Sequence, residues 1–151
     1  MSKYYIASDH TALEFKNSIY DYLKSEGCQI EDLGTHALSR VNYTDFAKKL
    51  CETIVFDSSR KGILICGTGI GMSIMANKIN GIRAALCTNE YMAKMSVVHN
   101  NANVLCLGVR VLGVELAKSI ISAYMSSQFE GGRHQQRINH IEQLGTKLEI
   151  G

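Results

Sequence analysis

A chain of 151 residues has the length of one domain and can bury a core of its own. Its net charge of +2 is too small and too dispersed to hold a nucleic acid or an anionic membrane surface, so neither is expected as a partner. No run reaches the roughly 18 apolar residues of a membrane span, and the opening MSKYYIASDH has no apolar signal core. A cytoplasmic location is the expectation.

Along the chain, short apolar runs alternate with longer stretches whose apolar residues recur every three or four positions. Strands are predicted at 4–8, 29–33, 62–65, 82–86 and 103–107, and helices at 14–25, 44–56, 71–78, 90–98, 113–127 and 134–148. Five strands separated by helices imply βαβ units. The expected fold is therefore one doubly wound, Rossmann-like α/β domain over 1–151, its five-stranded parallel sheet covered on both faces. The last helix follows a Gly131-Gly132 break and is a candidate to pack on a partner subunit.

Open α/β sheets bind ligands beyond the carboxyl ends of their strands. Three strands end there in something reactive or cationic: the first at Asp9 and His10, the third at Cys66 and Gly67, the fifth running out to Arg110. The five cysteines form no CxxC pair, which argues against a disulfide framework and a zinc site. No metal and no cofactor is expected. Cys28, Cys51, Cys87 and Cys106 sit in or beside apolar elements and read as packing.

Cys66 differs because Gly67, Thr68, Gly69, Ile70 and Gly71 follow it. This loop lacks the lysine of a Walker loop, and Met72 stands where the last glycine of a dinucleotide fingerprint should fall. Glycines leading into a helix nonetheless expose amide hydrogens, and a thiol at such a corner is more readily ionised. Thr68 could cap the helix or pass protons beside a substrate oxygen. His99 and Asn100 lie between a helix and the fifth strand, and histidine is the natural proton donor near neutral pH. His36, His134 and His140 read as surface residues. Arg133 and Arg137 lie four apart and share a helical face, either a solvated basic face or a phosphate clamp.

Asp9-His10, the runs ILICGTGIGMSIMANK and HNNANVLCLGVR, and GGRHQQR together resemble ribose-5-phosphate isomerase of the B type, a family that includes galactose-6-phosphate and allose-6-phosphate isomerases. The resemblance spans Asp9 to Arg137. It implies metal-independent interconversion of ribose 5-phosphate and ribulose 5-phosphate through an enediol, in the pentose phosphate pathway. In that resemblance Cys66 matches the base that moves a proton between two carbons, and His99 matches the acid that opens the sugar ring. Thr68 lies beside the oxygens that exchange a proton, and Gly67, Thr68, Gly69, Ile70 and Gly71 match the loop that holds the enediolate. Asp9, His10, Asn100, Arg110, Arg133 and Arg137 match sugar and phosphate contacts.

Two positions depart from the family pattern: Ala12 replaces a common glycine, and Tyr43-Thr44 stands in place of a Tyr-Pro pair. Both bear on sugar length, so a hexose 6-phosphate is the alternative substrate. A non-catalytic sugar-phosphate-binding module would need the arginines and the loop, but neither Cys66 nor His99. Because His99 precedes the fifth strand while Cys66 ends the third, the two should lie at opposite edges of one sheet. The expected assembly is a homodimer or a tetramer with active sites shared between subunits, the C-terminal helix at the dimer contact.

Overall fold

The computed structural model describes residues 2–148. Five strands, β1 (Lys3–Ser8), β2 (Ile30–Asp32), β3 (Arg60–Cys66), β4 (Ala84–Leu86) and β5 (Val104–Gly108), form one parallel sheet in the order β2-β1-β3-β5-β4. Six helices connect and follow them: α1 (Leu13–Ser25), α2 (Tyr43–Ile54), α3 (Ile70–Ala76), α4 (Glu90–Val98), α5 (Val114–Ser126) and α6 (Arg133–Leu148). A short 3-10 turn, His10–Ala12, joins β1 to α1.

Side chains alternate across a strand, and here both faces are apolar. On one face Tyr4, Ile6, Ile63, Ile65, Leu105 and Leu107 pack against Phe15 and Ile19 of α1, Val97 of α4, and Ile120 and Tyr124 of α5. On the other, Tyr5, Ala7, Leu64, Cys66 and Cys106 meet Leu50 and Ile54 of α2 and Met72 and Ala76 of α3. Helix α6 contributes little to either core. Of its first residues only His134 and Ile138 are buried, while Ile141 and Leu144 stay exposed.

From β1 the chain steps outward to β2, then returns to place β3 on the other side of β1. Such a reversal, here between β1 and β3, is where open α/β sheets bind ligands beyond the carboxyl ends of their strands. Asp9 follows β1 and Cys66 ends β3 at that point. The neighbouring loop is held by a buried ion pair: Lys16 of α1 is fully buried, and its Nζ binds Asp32 Oδ2 at the end of β2. Asp32 Oδ1 accepts from the Gly34 amide at 2.8 Å. Gly34 and Thr35 in turn exchange backbone hydrogen bonds with Ser8, one residue before Asp9.

Candidate active site

At the end of β3 the backbone turns sharply. Gly69 has a φ of +80°, a left-handed conformation that side chains disfavour. The turn aims the Gly69 amide at Cys66 Sγ, 3.2 Å away. Thr68 Oγ1 accepts from Ile70 N at 3.2 Å, so the threonine braces the turn while remaining exposed. Cys66 is only 5% exposed, and Ile70 and Gly67 reach the surface beside it. Arg110 joins this corner because its amide donates to Gly67 O at 2.9 Å and its guanidinium lies over Gly67.

Tyr43, at the start of α2, also belongs to this corner; the sequence reading marked it only within a departure that bears on sugar length, not as a site residue. A Cβ at Gly71 would lie 2.6 Å from its ring, so glycine there is what lets the tyrosine close over the first turn of α3. The available signal was the position itself: a large aromatic opening a helix and left 40% exposed.

Asp9 is buried, and its Oδ1 accepts from Thr11 N at 3.0 Å and Thr11 Oγ1 at 2.6 Å. Its own amide donates to Ile65 O at 3.2 Å, fixing it one residue from Cys66 across the strands. His10 Nδ1 accepts from Val41 N at 3.2 Å. A neutral His10 therefore carries its hydrogen on Nε2, free to donate to a ligand.

The remaining expected residues lie elsewhere. His99 caps the end of α4, five residues before β5 begins at Val104. Gly62 pairs with Val104 and Cys66 with Gly108, so the two ends of this ladder are about 13 Å apart at ~3.3 Å per residue. Within one chain His99 and Asn100 face the amino edge of the sheet and Cys66 the carboxyl edge. Arg133 and Arg137 are exposed at the start of α6, on the His99 side. The structure thus gathers Asp9, His10, Cys66, the glycine loop, Tyr43 and Arg110 at one edge. It gathers His99, Asn100, Arg133 and Arg137 at the other.

His134 corrects the sequence reading, which placed it on the surface. It is 5% exposed, and its ring stacks on that of His99 with centroids 4.4 Å apart and planes 16° from parallel. The cause is the backbone: Glu130 N donates to Val98 O at 3.1 Å, which brings the start of α6 against the end of α4. Burial lowers the His134 pKa below the usual 6.5, and His99, Arg133 and Arg137 push the same way, while Glu130 opposes them. His36 and His140 are exposed as expected.

Among the described residues, His99, Glu130 and His134 bring nitrogen and oxygen atoms within 4.8 Å of one another. Near-parallel rings send their in-plane lone pairs along similar lines rather than toward one point, which is a poor start for a tetrahedral ion. The other thiols are unsuited to act as bases. Burial pushes Cys51 up to about 12 and Cys87 to about 11, drives Cys106 well above its ordinary value, and raises Cys28 as well. A cavity of about 410 Å³ between β4 and α6 contains Asn100 and the Arg83–Glu142 ion pair, but neither Cys66 nor His99. No helix among the described residues is long and apolar enough to cross a membrane.

Known proteins are similar to this chain in both sequence and fold. Ribose-5-phosphate isomerase B of Escherichia coli is 43% identical over 141 residues, covering 93% of this chain and 95% of that protein. The ribose-5-phosphate isomerase B structure from Clostridium thermocellum superposes with a TM-score of 0.94 at 46% identity, covering 97% of this chain and 99% of that one. The Mycoplasma genitalium enzyme, solved with bound ribulose-5-phosphate, gives a TM-score of 0.92 at 39% identity, covering 96% and 97%. The sequence profile described as Ribose/Galactose Isomerase matches residues 4–141, and with the shared fold this establishes that the chain belongs to that family.

Proposed function

We propose that this single domain is an aldose-ketose isomerase that interconverts ribose 5-phosphate and ribulose 5-phosphate through an enediol. The observation that carries the reading is Cys66, set at the sheet's switch point with the Gly69 amide aimed at its sulfur 3.2 Å away. A proton next to a carbonyl needs a base at the carbon and donors at the oxygen that becomes negative. The Cys66 thiolate takes the proton from C2 of the open-chain aldose, and the electron pair moves through the C1–C2 bond onto the carbonyl oxygen. The loop of Gly67, Thr68, Gly69, Ile70 and Gly71 holds that charge through its amides, those of Gly69 and Ile70 turning to it from Cys66 Sγ and Thr68 Oγ1. Thr68 Oγ1 passes a proton between the two oxygens, and Cys66 returns its proton to C1, leaving the ketone at C2.

Asp9, His10, Asn100 and Tyr43 hold the sugar; Arg110, Arg133 and Arg137 hold the phosphate. His99 gives a proton to the ring oxygen and so opens the furanose. Since His99, Asn100, Arg133 and Arg137 stand at the far edge of the sheet, each site is completed by these residues from a second copy. A homodimer, alone or paired into a tetramer, is therefore the working form, with α6 at the contact. The reaction belongs to the pentose phosphate pathway of the cytoplasm. The backbone donors make a metal unnecessary, so EDTA should leave the rate unchanged; loss of activity on EDTA with recovery on adding a divalent ion would refute this.

The family description, which joins ribose and galactose isomerases, favours one second reading: a hexose 6-phosphate substrate. Offering ribose 5-phosphate, allose 6-phosphate and galactose 6-phosphate in parallel to the purified protein decides between them. The expected result is the highest kcat/KM with ribose 5-phosphate. Turnover of none would leave only a binding module.

A further inference from the structure

The mechanism above uses every charged residue of the GGRHQQR run and leaves His134 idle. Yet His134 is the most deeply placed of them, and its Nε2 is buried with no hydrogen-bond partner among the described residues. Buried polar atoms without partners are uncommon and call for an explanation. The groups facing it are His99 from the end of α4, Glu130 from the preceding loop (Oε1 3.8 Å from Nε2), and Arg133 and Arg137 from its own helix. The face of its ring lies against that of His99, with centroids 4.4 Å apart.

We propose that His134 is a positioning residue for His99: its buried ring is a platform that fixes the plane of the His99 imidazole, and so the direction in which His99 delivers its proton. Two supports hold the platform still. The loop leading into α6 is tied to the end of α4 through Glu130 N and Val98 O, and the ring has almost no exposed surface through which to swing. His99 by itself is partly exposed at a helix end, where an imidazole has several rotamers available. The platform removes that freedom before the substrate arrives, which is where precise placement of an acid gains rate. The proposal rests on the reading of His99 as the acid that opens the sugar ring, and it concerns that step alone.

That restriction supplies the test. Ribose 5-phosphate closes into a furanose through O4. Ribulose 5-phosphate cannot, because closure onto C2 would need O5, which carries the phosphate. Exchange of the C1 hydrogen of ribulose 5-phosphate with heavy water therefore uses Cys66 and the glycine loop but no ring opening. His134→Ala, His134→Phe and His99→Ala proteins are compared by kcat/KM for ribose 5-phosphate conversion and by NMR of deuterium entering C1 of ribulose 5-phosphate. His134→Ala should slow conversion about ten-fold or more while exchange stays within about two-fold. His134→Phe keeps the flat face and should retain most of the conversion. Equal loss in both reactions would mean a role in folding or assembly and would overturn the proposal. So would no loss in either, or a Phe variant as slow as the Ala variant. A selective loss in His99→Ala without one in His134→Ala overturns only the proposal. No selective loss in His99→Ala sinks the assignment of His99, and the proposal with it.

Discussion

In the proposed site the Cys66 thiol and the Arg137 guanidinium make different demands on the same substrate, and that difference can be measured. Cys66→Ala removes the proposed base, so turnover should fall by at least about a thousand-fold while a non-reacting phosphate analogue binds nearly as before. Arg137→Ala removes a charge-assisted contact of about 1.5–3 kcal/mol, so KM should rise roughly ten-fold or more with a smaller effect on kcat. Kinetics beside calorimetric binding of the analogue separate the two, and a Cys66→Ala protein that keeps most of its rate would remove Cys66 from the role of base. Histidine 134 gives a prediction of stability against pH. Its folded pKa is lowered by burial first and by neighbouring positive charge second. Above about pH 6.5 it is neutral both folded and unfolded, and nothing is lost. As the pH falls below that value the unfolded chain takes up the proton more readily, so stability declines until the folded form is protonated too. Urea midpoints measured from pH 7.5 to 5 should fall, and less steeply in His134→Phe; parallel curves would contradict the lowered pKa. The residues of this site were unevenly legible. Cys66, His10 and Arg110 announce themselves by following strands, whereas His134 and Tyr43 owe their places to contacts with distant segments, at Val98 and Gly71, that no local pattern encodes.

At the scale of elements, all five strands and six helices were readable, because short apolar runs alternate with stretches whose apolar residues recur every three or four positions. Their ends shifted for identifiable reasons. The strand expected at 82–86 begins at Ala84 because Arg83 N donates to Asn103 Oδ1 instead of joining the ladder. The strand expected at 29–33 shrinks to Ile30–Asp32, an edge strand paired on one side only. Central β3 runs longer than 62–65 because each neighbour extends it at one end: Arg60 and Lys61 pair with Lys3 and Tyr4 of β1, and Cys66 pairs with Gly108 of β5. What periodicity hid was Lys16. A lysine on an amphipathic helix reads as solvated, yet here it lies fully buried against Asp32, with Asn17 Oδ1 at 3.2 Å. Replacing one member of a buried pair strands the other, at a cost of about 3–5 kcal/mol. Lys16→Met should lose that much stability in urea unfolding, and replacing Asp32 by Leu in the same protein should recover part of it. A loss below about 1 kcal/mol would show that Asp32 is solvated well enough to stand alone.

The whole molecule poses the question that one chain cannot answer. Cys66 with the glycine loop and His99 with Arg133 and Arg137 are fixed to opposite edges of a sheet whose two core faces are filled, so no side-chain movement brings them together. Either His99 has no part in the chemistry, or it acts on the Cys66 of a neighbour. Around a two-fold axis each copy both lends and receives, which makes two equivalent sites per dimer. Exposed Ile141 and Leu144 on α6 offer apolar surface for such a contact. The prediction follows from counting sites. Cys66→Ala and His99→Ala proteins are each inactive or nearly so alone, and are mixed under conditions that exchange subunits. Random pairing makes half the dimers hybrids; in each hybrid one site combines an intact Cys66 with an intact His99, and the other carries both substitutions. About a quarter of normal activity should therefore return, tracking the rate of exchange followed by mass spectrometry of labelled chains. Exchange without recovered activity would mean that both residues serve one site from the same chain, or that His99 serves none.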